Sequence, residues 1–225
     1  NRLRLELEAI SGRQVGEADL HKSIAVFNEN RRWIRELYRL KREKPWLVSA
    51  DEAYVLLAAG GMIPREEHNE LLQVVLPQIE ARPAHPQDRI RVVFEGGFCE
   101  QPPLDLLRTI SRFCYLVDDD LLIGLRWIQE DVRQEGDPLQ NLAEAYLERS
   151  TYSPVQHDLR KPKERMLLER MQAAGAKAAI ITAAKMCEPG LDEQVAYSKA
   201  LDEQGIPYFV SEFEENMTSF DHLEI

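Results

Sequence analysis

From residue 11 to residue 44 apolar residues recur at helical spacing, with Leu20, Ile24, Phe27, Ile34, Leu37, Tyr38 and Leu40 on one side of an otherwise charged surface. That period predicts one long amphipathic helix over Ser11–Lys44. Ser49 followed by Glu52 has the form of a capping box, and the apolar run behind it stops at Gly60 and Gly61, which predicts a shorter, buried helix. Pro64, with Glu66 and Glu67 in the turn that follows, predicts a third helix ending before the break from Pro83 to Pro86. The rhythm then changes. Arg89–Phe94 is a β-branched apolar run closed by Gly96 and Gly97, and Tyr115–Val117, Ala178–Thr182 and Pro207–Ser211 read as further strands. Helical patterns over Pro103–Phe113, Leu139–Arg149, Lys161–Ala174 and Asp192–Glu203 separate them. Strands alternating with helices imply crossover units and a parallel sheet covered on both faces. The expected fold is α/β: a helical segment over 1–86, then an α/β domain over 87–225 on an open, mostly parallel, four-stranded Rossmann- or flavodoxin-like sheet.

In such a sheet ligands bind beyond the carboxyl ends of the strands, which places the candidate chemistry in the turns that follow them. Gly96 and Gly97 either let backbone amides come close to a ligand or only turn the chain, and with Cys99, for which the alternative is packing in that turn, and Glu100 they are the candidate substrate-binding residues. A side chain at Gly96 is expected to lower turnover more than stability. Cys187 lies between a strand and a helix, where helix amides and Lys185 would favour a thiolate suited to ligating a metal or acting as nucleophile; the plainer alternative is a small residue packed in a turn. Cys114 opens a strand within an apolar stretch and reads as core. The run Asp118–Asp120 has the composition of a Mg²⁺ or phospho-acceptor cluster, but a receiver domain places its acids after other strands, so the preferred reading is an exposed acidic strand end. His21, His68, His85, His157 and His222 show no metal spacing and read as surface. No Walker loop, Gly-x-Gly-x-x-Gly, Gly-x-Ser-x-Gly or Cys-x-x-Cys occurs, and no catalytic residue is assigned.

Composition narrows the partners. The chain has 225 residues, 44% of them hydrophobic and 30% charged, with a net charge of −11 concentrated after residue 88. Such a field repels a phosphate backbone, so no nucleic-acid partner is expected. The local exception is the basic set Arg31, Arg32, Arg35, Arg39, Lys41, Arg42 and Lys44, interleaved with acids on the long helix; it reads as a solvated face or as a grip for the phosphates of a coenzyme. Three widely spaced cysteines argue for reduced thiols rather than a disulfide framework. No apolar run approaches the ~20 residues that span a bilayer and Asn1 opens no signal peptide, so no membrane partner and a cytoplasmic location are expected.

Four segments together resemble the 2-hydroxyacyl-CoA dehydratase and benzoyl-CoA reductase family of iron–sulfur catalytic subunits, the D components. They are the Asn28-x-x-Arg31 helix; the loop Gly96-Gly97-Phe98-Cys99-Glu100; Val117–Asp120 followed by Gly124-x-Arg126; and Lys185-x-Cys187-x-Pro189 with Gly205 and Pro207 beyond. The tail from Glu214 to Phe220 is more similar to the reductases. The resemblance implies a [4Fe–4S] cluster with Cys187 as its last cysteine ligand, and a chain that is a C-terminal fragment lacking two further ligands. It implies single-electron reduction of an aromatic acyl-CoA to a cyclic diene acyl-CoA through a ketyl-like radical anion. Implied partners are a homologous second catalytic subunit, ATP-binding electron-activating subunits, a ferredoxin-type donor and the acyl-CoA substrate. The alternatives are a 2-hydroxyacyl-CoA dehydratase subunit, in which the radical expels hydroxide, and a non-catalytic α/β interaction domain.

Overall fold

Two glycines interrupt the expected long helix. Gly12 adopts φ +67 after α1 (Arg2–Ser11), and Gly16 caps α2 (Glu17–Glu43), where its amide donates to the Asp19 carboxylate at 3.0 Å. The apolar period alone does not register this break, because it follows side chains whereas left-handed φ at glycine acts on the backbone. The computed structural model describes residues 2–97, 100–151, 158, 160–214, 216–217 and 220.

α3 (Ala50–Ala59) opens with the capping box as expected: the Glu52 amide donates to Ser49 Oγ at 3.3 Å, and the Ser49 amide donates to Glu52 Oε2 at 3.2 Å. In α4 (Arg65–Glu80) Pro64 is the cap itself rather than the first helical residue. These helices share a core of Leu37 and Leu40 from α2, Leu57 from α3, and Leu72, Leu76 and Ile79 from α4.

Beyond residue 87 the chain runs β1 (Ile90–Glu95), α5 (Leu104–Ser111), β2 (Cys114–Asp119), a 3₁₀ turn (Ile123–Arg126), α6 (Pro138–Glu148), α7 (Lys163–Ala174), β3 (Ala178–Ala184), α8 (Glu188–Gln204) and β4 (Tyr208–Phe213). The four strands are all parallel in the order β2-β1-β3-β4. One face, with Val92, Phe94, Leu116 and Ile180, packs on Leu106, Leu107 and Ile110 of α5. The other, with Val93, Ala179 and Ile181, packs on Leu167 and Met171 of α7 and Tyr197 and Leu201 of α8. Burial on both faces explains why these strands read as continuous apolar runs instead of alternating ones. α8 begins four residues before the expected Asp192, because Pro189 fits the first helical turn, where no amide donor is needed.

One irregularity prepares the site. Val92 of β1 faces Leu116 of β2, but Val93 faces Asp118, so Val117 is an extra residue in β2. A bulge of this kind re-aims the residues that follow it. Here those residues are the three aspartates.

Candidate functional site

The chain passes from β1 outward to β2 and then back across to β3, so the strand order reverses between β1 and β3, and their carboxyl ends flank the crevice where open α/β sheets bind ligands. A cavity of about 390 Å³ opens there, lined by Glu100 from the loop after β1 and by Ala184–Pro189 from the loop after β3. The two predicted loops therefore converge. Cys187 is the N-cap residue of α8, 8% exposed. It is disulfide-bonded, where the sequence leads one to expect a reduced thiol, while Cys114 is a free, half-buried thiol whose pKa burial raises. The Lys185 ammonium pairs with Glu214 at 2.6 Å. Cys99 lies outside the described residues.

Gly96 and Gly97 serve a neighbour. Their amides donate to the Asp120 carboxylate at 2.9 and 3.0 Å, and the Gly97 carbonyl accepts from the Gln101 amide. Gly96 sits at φ +124 with its α-carbon so close to β3 that a Cβ would overlap the Thr182 carbonyl oxygen. The close approach expected of these glycines is made at Gly96 to the protein's own backbone, whereas Gly97 packs against the side chains of Leu121, Asp120 and Gln101.

The three aspartates are buried, not an exposed strand end, and each has its own partners. Asp118 pairs with Arg42 of α2 and with Arg170 of α7, the latter at 3.1 Å; burial pushes its carboxyl up, but the two guanidiniums outweigh this and hold it below its ordinary value. Asp119 pairs with Lys41, accepts from Tyr38 Oη at 2.7 Å and from Arg126 at 3.3 Å, and is likewise held low against the effect of burial. Asp120, answered mainly by backbone amides, is raised by burial. Arg170 also pairs with Glu95, whose carboxyl burial raises. With its carboxylates answered one by one, this cluster is a joint between α2, α7 and the sheet. Among the described residues no group of three or more His, Cys, Asp or Glu is arranged to hold a metal ion.

A larger cavity, about 750 Å³, lies between α2 and the segment that follows β2. Arg31, Arg35 and Arg42 of the basic set line it, joined by Arg65, Arg126 and Arg170, which no sequence pattern groups with them. The Asn28-x-x-Arg31 motif builds one wall. Asn28 is buried, donates to the Val132 carbonyl at 2.7 Å and accepts from the Val132 amide at 2.8 Å, while Arg31 donates to Asn28 Oδ1 and to the Ile128 carbonyl. Arg39 and Lys44, by contrast, are occupied by Glu36, Glu43 and Glu80. His68 is fully buried rather than on the surface: it bonds the Leu56 carbonyl at 2.8 Å and Asn30 Nδ2 at 2.9 Å, and burial lowers its pKa. Asn30 in turn accepts from Arg65 at 3.0 Å. No helix among the described residues is long and apolar enough to cross a membrane.

A family model described as 2-hydroxyglutaryl-CoA dehydratase, D-component, matches residues 1–224. The chain is 37% identical to a benzoyl-CoA reductase subunit of Thauera aromatica over 218 residues, 96% of this chain and 56% of that one. It is 29% identical to the lactoyl-CoA dehydratase beta subunit of Anaerotignum propionicum over 224 residues, 99% of this chain and 59% of that one. It is 22% identical to the (R)-phenyllactyl-CoA dehydratase beta subunit of Clostridium sporogenes over 217 residues, 96% and 57% respectively. The chain thus spans little more than half the length of these relatives.

Proposed function

Because the chain belongs to the 2-hydroxyglutaryl-CoA dehydratase D-component family, we propose that it is part of the catalytic subunit of an ATP-dependent benzoyl-CoA reductase, which reduces an aromatic acyl-CoA to a cyclic diene acyl-CoA. The observation that carries this reading is the position of Cys187: a buried sulfur at a helix N-terminus, bordering a cavity at the point where the strand order reverses. The greater identity to the reductase subunit than to the dehydratase subunits favours reduction over elimination of water. The second reading in the same family is a 2-hydroxyacyl-CoA dehydratase subunit, in which the radical would expel hydroxide.

The residues at the smaller cavity fit one corner of a [4Fe–4S] cluster. Cys187 is a soft sulfur donor, and as the thiolate, reached by reduction of its disulfide, it would gain from the amides of the first turn of α8. When bound, such a cluster supplies single electrons at low potential. The chain's own part is to present that sulfur beside Glu100, in a pocket fixed by the Asp120 grip on Gly96 and Gly97. ATP would act on a separate activating subunit fed by a ferredoxin-type donor, consistent with the absence of a phosphate-binding loop motif in this sequence. A homologous second catalytic subunit would complete the assembly, in line with relatives that are themselves named as subunits.

The test uses the full-length subunit, reconstituted without oxygen under reducing conditions. Cys187→Ala should lower bound iron and abolish acyl-CoA reduction, whereas Cys114→Ala should retain both. Full iron retention in the Cys187 variant would remove the ligand role. Turnover of benzoyl-CoA against a 2-hydroxyacyl-CoA decides between the two readings.

A further inference from the structure

The cations around the larger cavity fall into two groups. Arg42, Arg126 and Arg170 are committed to buried carboxylates, and Arg35 pairs with Asp131 at 2.7 Å. Arg31 and Arg65 have no such carboxylate partner among the described residues. Arg31 donates only to neutral oxygens, Asn28 Oδ1 at 2.7 Å and the Ile128 carbonyl at 3.1 Å. Arg65 donates only to Asn30 Oδ1 and lies over the Phe27 ring, 4.8 Å from its centroid. A guanidinium has five N–H donors, so most of those on Arg65, and several on Arg31, are left over.

Two half-buried cations facing one cavity without a paired carboxylate are costly to maintain, and burial lowers the pKa of both. Asp131 acts on Arg31 from a distance and offsets this only in part, its carboxylate being engaged by Arg32 and Arg35. The proximity of Arg35 and Arg65 lowers the pKa of Arg31 further. An anion relieves these costs. The rest of the wall suits a ligand larger than a bare anion. Trp127 and Tyr146 form a tilted aromatic pair with centroids 6.0 Å apart, and the Trp127 indole N–H is buried without an acceptor. Glu130 also borders the cavity but is exposed to solvent. A volume of about 750 Å³ is in the range of small-molecule sites.

We propose that this cavity is a phosphate site for the coenzyme end of a coenzyme A thioester, with Arg31 and Arg65 as the phosphate-binding residues and the Trp127 face as the platform beside them. The identity of the ligand rests on the acyl-CoA reading above; the anion site itself rests on the unanswered charges. Phosphate draws on Arg through parallel charge-assisted hydrogen bonds, which a carboxylate-committed Arg42 or Arg170 cannot offer without breaking the joint to the sheet.

The test is calorimetric titration of the full-length subunit with coenzyme A and with pantetheine, which shares its thiol arm but carries no phosphate. Coenzyme A should bind at least about tenfold more tightly than pantetheine, with an advantage that shrinks as salt rises. Arg65→Gln should lower coenzyme A affinity by about tenfold or more and leave pantetheine unchanged, and Arg65→Lys should recover part of the loss. Arg31 also clamps the segment after β2, so the Arg65 variants carry the test if Arg31→Gln fails to fold. Equal binding of the two ligands, or unchanged coenzyme A affinity in Arg65→Gln, would overturn the proposal. Iron content reads the other site separately: loss of coenzyme A binding with iron chemistry intact removes this proposal alone, and intact Arg65-dependent binding without iron removes the cluster reading alone.

Discussion

Lys41 of α2 and Asp119 of β2 form an ion pair from which solvent is excluded, the lysine side chain 2% exposed and the aspartate 1%. Lys41 and Arg126 both lie over the Tyr38 ring, 4.7 and 4.6 Å from its centroid. The pair is thus the centre of a four-residue joint that fixes the long helix to the edge strand of the sheet.

Breaking one side of that joint leaves a buried charge without its partner. Lys41→Met is expected to cost about 3–5 kcal/mol in denaturant unfolding, and Asp119→Leu at least as much, because Arg126 then also loses its carboxylate. The double variant should be less destabilised than the sum of the two. Strict additivity would show that the pair is not coupled as described. Asp118 and Asp119 are both held below their ordinary values, so the stability they supply is present above the usual carboxylate range and is lost as pH falls through their lowered native values.

Gly96→Val should act on folding before it acts on turnover. The sequence suggests the opposite, a side chain blocking a ligand, but the added Cβ would overlap the Thr182 carbonyl, and φ +124 is a conformation that side chains strongly disfavour. Gly124 offers the control, since a Cβ there meets nothing within 4 Å. Thermal melts should show a loss of several degrees or outright failure to fold for Gly96→Val, and little change for Gly124→Ala. Equal melting temperatures would be incompatible with the packing of Gly96 on β3.

Glu193 of α8, buried beside Lys163 at 2.7 Å, is raised by burial to about 7 despite that partner. The native state therefore keeps a proton that the unfolded chain, with an ordinary glutamate, has already released, and stability falls as pH rises from about 4.5 to about 7. Glu193→Gln should flatten that part of the profile and stabilise the protein at pH 8 by up to about 3 kcal/mol. Melting temperatures of the two proteins at pH 5 and pH 8 measure this; an identical pH slope in both would contradict it.

The α/β half is legible in the sequence because its signals are local. Val92–Phe94 and Ala179–Ile181 are apolar without alternation, and the turn after β1 has Gly96 where the backbone needs a positive φ, although the turn after β3 places Met186 at φ +68. The loops at the smaller cavity follow from sheet topology alone. The burial of Asp118 and Asp119 is not legible, because Lys41, Arg42 and Arg170, which answer their charges together with the nearer Arg126, lie more than fifty residues away in the chain. The burial of His68 escapes the sequence for the same reason, its partners Asn30 and Leu56 coming from other helices. Arg65 and Arg170 carry no local mark that distinguishes them from other arginines, and the Gly124-x-Arg126 motif marks Arg126 without placing it at the larger cavity. The one available clue is charge balance: Arg31 and Arg35 have few acids at helical pair spacing, whereas Arg39 is flanked by Glu36 and Glu43.

The larger cavity takes Phe27, Arg31 and Arg65 from the helical layer and Asp118, Trp127 and Arg170 from the sheet, the segment after it and its covering helix. Any ligand held there is gripped by both layers at once, so occupancy and the docking of α2 onto the sheet are thermodynamically linked. At a ligand concentration of 100 times Kd the docked form gains about 2.7 kcal/mol over any form in which the layers have parted. Amide hydrogen exchange should register that gain most strongly along α2, whose opening dissolves the site, and less in β3, whose amides are released only by unfolding of the sheet itself.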